Sequence, residues 1–199
     1  KLGLSGGMKG LSFHLWDGLF KFLMFIGYIV VISFMPDIRR VFQYHGAEHK
    51  TIHAFEKGGM VTAATARSCS RLHPRCGTTF LLFVLSVAIV LHAVLVPLLL
   101  MVWDPSSALV RHAGIVCFKI LLIAPVSALA YEIIRYAATL KNGFWGGMLR
   151  APGLFLQLLT TREPDDDQLE VAVVALREAL GPDSPYAGRF ESPDPIVME

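Results

Sequence analysis

Three apolar stretches, each about as long as a bilayer is thick, constrain this chain more than any other feature. A membrane span needs about 20 mostly apolar residues rising 1.5 Å each. The first stretch runs from Gly18 to Met35, interrupted by Lys21 near its start and stopped by Pro36-Asp37. The second runs from Thr78 to Trp103 and is closed by Asp104-Pro105. The third extends from about Ala113 to Ile134 and carries Lys119 and Glu132. Pro97 and Pro125 lie inside the second and third stretches. Each removes a backbone donor, which predicts a kink. Composition agrees, since only 17% of the residues are charged against roughly 25% in soluble proteins. The expected fold class is an all-α integral membrane protein with three transmembrane helices.

Lys and Arg set the orientation, because they collect on the cytoplasmic side. The connection from Asp37 to Gly77 carries Arg39, Arg40, Lys50, Lys57, Arg67, Arg71 and Arg75, whereas Asp104 to His112 carries only Arg111. Arg135, Lys141, Arg150 and Arg162 follow the third stretch. The first connection and the C-terminal region are therefore both expected in the cytoplasm. A net charge of +2, with no basic run interleaved with aromatics, is too small to argue for nucleic acid, and none is expected as a partner. The bilayer is the expected partner, together with an unknown substrate or membrane-protein partner. Cys69, Cys76 and Cys117 are odd in number and scattered, which is no disulfide framework. The chain opens on Lys1 rather than Met, as a truncated N-terminus would, and no signal peptide is recognisable.

At 199 residues there is room for one domain, here read as a single membrane domain over residues 1–181. Asn142 to Thr161 is apolar but broken by Gly143, Gly146, Gly147 and Pro152-Gly153. It reads as an interfacial or re-entrant segment. Asp165 then precedes Gln168 by three residues, the spacing of a capping box. Leu169, Ala172, Val173, Leu176 and Leu180 follow at helical spacing, so an amphipathic cytoplasmic helix is expected over 165–180, ended by Gly181-Pro182. Residues 182–199, rich in Pro, Asp, Ser and Gly, are expected to be a disordered tail.

Chemistry concentrates in the first connection, also read as helical. At about 100° per residue, His45, Glu48, His49, His53 and Glu56 fall on one side of a helix. His45, Glu48 and His49 form H-x-x-E-H, the inverted zinc-peptidase pattern. Histidines four apart can chelate one ion, and the carboxylate one turn from His45 can take a proton from a water that the ion activates. Just before the second stretch, His73 and Cys76 are further potential ligands, although Cys69 to Thr78 taken by itself reads better as a turn with Thr78 capping a helix. Glu132 can supply a ligand or pair with Arg135 at i+3. His92 and Lys119 lie deep in their stretches and read as partners of each other or of backbone. Capping explains most of the acidic run Asp165, Asp166, Asp167 and Glu170.

Three motifs, Phe42 to Lys50, Arg71 to Thr78 and Leu156 to Asp166 with Glu170-Val171-Ala172, resemble the YqhQ-like family of bacterial membrane proteins. The resemblance runs in order from about Leu19 to Leu180. It implies the bacterial cytoplasmic (inner) membrane and a metal-dependent enzyme, without an established reaction. It also implies a further N-terminal region with its own Gly-rich motif and apolar segment. Cys69 lies outside the family pattern.

The functional expectation is thus a membrane-embedded, metal-dependent hydrolase with its site at the cytoplasmic face, acting on a peptide or amide bond. His45 and His49 would be ligands, joined by His53, His73, Cys76 or Glu132, with Glu48 as general base. Zinc is favoured because imidazole suits it; Mn²⁺ and Fe²⁺ stay open. The alternative is a non-enzymatic scaffold or regulator whose metal clamps the first connection onto the spans. Ligand number separates them, since a catalytic zinc keeps an open position and a structural one does not.

Overall fold

The structure, a computed structural model, describes residues 11–140 and 143–190. Among these the chain is helical, with no strand beyond an isolated bridge between Val61 and Phe190. The elements are α1 (Leu11–Ile32), α2 (Pro36–Glu56), α3 (Ala63–Arg67), α4 (Gly77–Val102), α5 (Ala108–Leu121), α6 (Ile123–Thr139), α7 (Phe144–Thr160) and α8 (Asp166–Leu180). They fall into two compact units, one of residues 1–29 and 74–153, the other of residues 30–73 and 154–199.

The first unit holds the apolar helices. Three segments are long and apolar enough to cross a membrane: Leu15–Ile32, Gly77–Val102 and Ala108–Thr139. Most of their surface faces outward, with Trp16, Phe20, Val102 and Leu109 exposed, as suits lipid-facing helices. The third segment is two helices. Pro125 has no N–H for the carbonyl of Leu121, and the chain breaks at Leu122, which joins α5 to α6. Pro97, by contrast, is accommodated within a continuous α4. α4 packs against α6. Leu82, Ala93, Val96 and Leu100 on α4, and Val126, Ala130 and Ala137 on α6, are buried. Three of these seven are alanines, and such small side chains let helices approach closely without water.

The second unit is built on α2. Met35 is extended, as a residue before proline must be, and Pro36 starts the helix where its missing N–H costs nothing. α2 packs against α8 and α3. Ala47, Ala54, Val61, Ala66, Cys69, Leu169 and Phe190 form the core. The start of α8 follows the spacing of its residues: Asp165 accepts the Gln168 N–H at 2.9 Å and Gln168 Oε1 accepts the Asp165 N–H at 3.1 Å. Gly181, at φ 81°, ends the helix in a conformation that favours glycine.

Two expectations need correction. The glycines between residues 143 and 153 do not interrupt the chain, since α7 runs unbroken through Gly146, Gly147, Pro152 and Gly153. A Cβ at Gly153 would overlap the side chain of Thr79, so close packing accounts for that glycine. The tail is also structured as far as Phe190. The Val61 N–H donates to the Arg189 carbonyl at 2.8 Å. The Arg189 guanidinium lies 4.5 Å from the Phe55 ring centroid and donates to the carbonyls of Phe55 and Gly59. Phe190 is buried. Residues 191–199, and Lys141-Asn142, lie outside the described residues.

Candidate metal site on the second unit

α2 carries His45, His49, His53 and Glu56 along one side, and the segment 68–73 crosses them. Lys50 fixes that segment: its buried ammonium donates to the carbonyls of Arg67 at 3.1 Å and Cys69 at 2.9 Å and pairs with Glu163 at 3.0 Å. Arg71 Nη1 donates to the Thr161 carbonyl and hydroxyl, both at 2.7 Å. Gln157, with no exposed surface, bonds both main-chain groups of His73, accepting its N–H at 2.8 Å and donating to its carbonyl at 2.8 Å. Two polar strips thus hold each other: residues 67–73 and residues 157–163. Gly46 belongs to the same arrangement, because a Cβ there would overlap the Arg162 carbonyl oxygen.

The histidines gather under this clamp. Ring centroids lie 4.4 Å apart for His45 and His49, 5.8 Å for His49 and His73, and 4.6 Å for His53 and His73. Main-chain carbonyls define their tautomers, because a carbonyl can only accept. Nδ1 of His45 faces the Thr160 carbonyl at 2.8 Å and Nδ1 of His49 faces that of Arg71 at 2.6 Å. Each Nδ1 therefore carries the proton, and the neutral ring keeps its lone pair on Nε2. This is how metal-binding histidines are oriented in general. His53 is turned the other way, with Nε2 donating to the Leu72 carbonyl at 2.9 Å, which leaves its lone pair on Nδ1. His73 Nε2 is 3.5 Å from Glu56 Oε2. Burial holds the His73 pKa below its ordinary value. The Glu56 carboxylate opposes this, while His53 and His49 act in the same direction as burial. A neutral imidazole is the form that binds metal.

The donor set fits a transition metal. His53, Glu56 and His73 each offer one donor atom, and the three lie within 4.8 Å of one another. Donors about 2.1 Å from a tetrahedral ion lie about 3.4 Å apart, so binding draws the three together by up to about 1.4 Å. Imidazole and carboxylate are the donors zinc accepts.

Of the residues singled out from sequence, His45, His49, His53 and His73 are brought together. Glu56, read only as sharing the face, is the carboxylate among them. Glu48 is exposed, and its side chain makes no hydrogen bond or ion pair among the described residues. Cys76 belongs to the first unit, as the N-cap of α4, with Sγ 3.1 Å from the Thr78 hydroxyl. Glu132 is also in the first unit, exposed, and pairs with Arg135 at 3.5 Å. Sequence reasoning missed Lys50, Arg71 and Gln157. A glutamine inside the apolar run Leu154–Leu159 was the available signal, since a buried amide needs partners.

A family model described as "Protein of unknown function (DUF1385)" matches residues 4–182. The chain is similar to the "Uncharacterized protein YqhQ" of Bacillus subtilis (strain 168), at 38% identity over 164 residues, which covers 82% of this chain and 48% of that protein. The chain thus spans about half the length of that relative. No solved structure matches.

Proposed function

The chain belongs to the DUF1385 family, whose description names no activity, and we propose from the site itself that it is a bacterial inner-membrane protein whose second unit binds a divalent transition metal, zinc foremost, for hydrolysis. One observation carries this reading. Four imidazoles and a carboxylate converge on one side of α2, two of them with Nδ1 pinned by main-chain carbonyls so that Nε2 is the ligand atom. A bound ion would supply Lewis acidity and lower the pKa of a water. The chain's own residues would hold the ligand rings in place through Thr160, Arg71 and Leu72, and present a carboxylate to take a proton. Glu56, the donor beside His53 and His73, would complete the ligand set, and Glu48 is the base that the H-x-x-E-H pattern offers. The substrate class follows from that pattern alone, a peptide or amide bond, which is an analogy of motif. The apolar helices of the first unit anchor the protein, and the Lys/Arg asymmetry assigns the metal-site face to the cytoplasm.

A structural role for the metal is the second reading, favoured by the bonds from His49 and His53 to the carbonyls of Arg71 and Leu72. An ion there would tighten the same clamp. The purified protein should hold about one equivalent of transition metal, and His45→Ala with His49→Ala, or His53→Ala with His73→Ala, should lose most of it; full metal in all four variants ends either reading. Glu48→Gln then divides them in a strain lacking the native protein. Under hydrolysis, it keeps metal and melting temperature yet loses about 10²–10⁴-fold of function. Under the structural reading, metal and melting temperature fall together.

A further inference from the structure

The first unit contains a cavity of about 240 Å³ between α1, α4 and α5. Its walls are aliphatic at Leu85 and Ile89, and ionisable at Asp17, Lys21, His92 and Lys119. All four ionisable residues lie within the three segments long and apolar enough to cross a membrane. Ionisable side chains inside such segments are costly, and they mark ligand or ion sites unless paired.

The charges do not balance within the cavity. The Asp17 carboxylate meets the Lys21 ammonium at 2.5 Å, so one cation has its counter-ion. Lys119 brings a second ammonium to the same lining, but it makes no hydrogen bond or ion pair among the described residues. Asp17, Lys21 and Lys119 together carry one positive charge in excess. A neutral or cationic ligand would leave that excess uncompensated, whereas an anion would cancel it. At about 30 Å³ per water, the space admits a phosphate group with part of its hydration, and lysine is a common point-charge partner of phosphate. We propose that this cavity binds a phosphate-bearing anion. Its source is either the headgroup of an anionic phospholipid entering from the surrounding bilayer or free inorganic phosphate.

The test uses the full chain in nanodiscs of phosphatidylcholine, with and without added inorganic phosphate, and in discs of phosphatidylcholine and phosphatidylglycerol in equal parts. Thermal stability and affinity are followed for the wild type, Lys119→Gln and Arg135→Gln. Arg135 is exposed, pairs with Glu132 and does not line the cavity. Stabilisation by phosphate in phosphatidylcholine discs identifies the free ion; stabilisation by phosphatidylglycerol alone identifies the lipid headgroup. In either case Lys119→Gln should weaken binding roughly tenfold to a hundredfold and Arg135→Gln should leave it intact. No stabilisation by either probe, or equal loss in both variants, or no loss in Lys119→Gln, overturns the proposal. Should Lys119→Gln not fold, Asp17→Asn decides. It removes the competing carboxylate, so anion affinity should rise, and unchanged or weaker binding is the refuting result.

Discussion

Replacing Gln157 by Leu removes one side chain of similar size and two hydrogen bonds at once. Gln157 is fully buried, and both partners are main-chain groups of His73, itself only 5% exposed. Leucine fills the volume but leaves a buried N–H and a buried carbonyl without their partner. Each such group costs about 1–3 kcal/mol, so a loss of about 2–5 kcal/mol follows, after a small gain from the more apolar side chain. For a chain of this length that is a fall in melting temperature of roughly 5–15 °C. The second effect is on the site. His73 is held by this amide at the backbone, and loosening a group that orients a ligand costs about 10–100-fold in metal affinity. Thermal unfolding of the metal-free protein in detergent measures the first effect, and competition with a chelator of known affinity measures the second. Gln157→Glu keeps the acceptor for the His73 N–H but loses the donor to its carbonyl, and should fall between. A Gln157→Leu protein that melts with the wild type and binds metal as tightly would refute both the energetic argument and the role given to the clamp.

Gly46→Ala should destabilise by about 1–3 kcal/mol, read from the same unfolding curves, because the methyl group would overlap the Arg162 carbonyl oxygen. Acidification should destabilise the metal-free protein. His73 is held below its ordinary value of 6.5, so the unfolded chain takes the proton first; the stability present above that value is lost as pH falls through the lower, folded one. Melting temperature followed from about pH 7 to about pH 5 should decline, less steeply in His73→Gln, and parallel curves would remove His73 as the cause. Lys57→Cys and Asp183→Cys, in a Cys117→Ala background, should both be shielded from an impermeant thiol reagent added to intact cells; labelling of either reverses the assigned orientation.

Much of this architecture is legible in local patterns. The three apolar runs, the Asp165-Gln168 cap, the start at Pro36 and the break three residues before Pro125 all depend on residues within one or two turns of each other. So does the histidine face of α2, which needs only helical periodicity. Three features failed for a shared reason. Gly153 looks like a chain breaker until Thr79 is known to lie against it. Phe190 looks like part of a disordered tail until Val61 and Phe55 supply its neighbours. Gln157 looks like an accident in an apolar run until the backbone of His73 is found opposite. In each case the deciding partner is more than 70 positions away in the chain, and one sequence carries no signal of such a pairing. That Glu56 and not Glu48 lies beside His73 is subtler. Both share a broad helical face, and only the position of the crossing segment 68–73 selects between them.

The division of the second unit into residues 30–73 and 154–199 has a consequence during synthesis. His45 bonds the Thr160 carbonyl, 115 positions later in the chain. At roughly 5–20 residues per second, the histidines of α2 leave the ribosome about 6–20 seconds before the strip that orients them exists. During that interval every apolar helix from α4 to α6 must be made and placed. A nascent chain stopped before Gln157 would carry the imidazoles and Glu56 but not the carbonyl and amide groups that set His45 and His73. On the metal reading, capture would wait until residues 157–163 have been made.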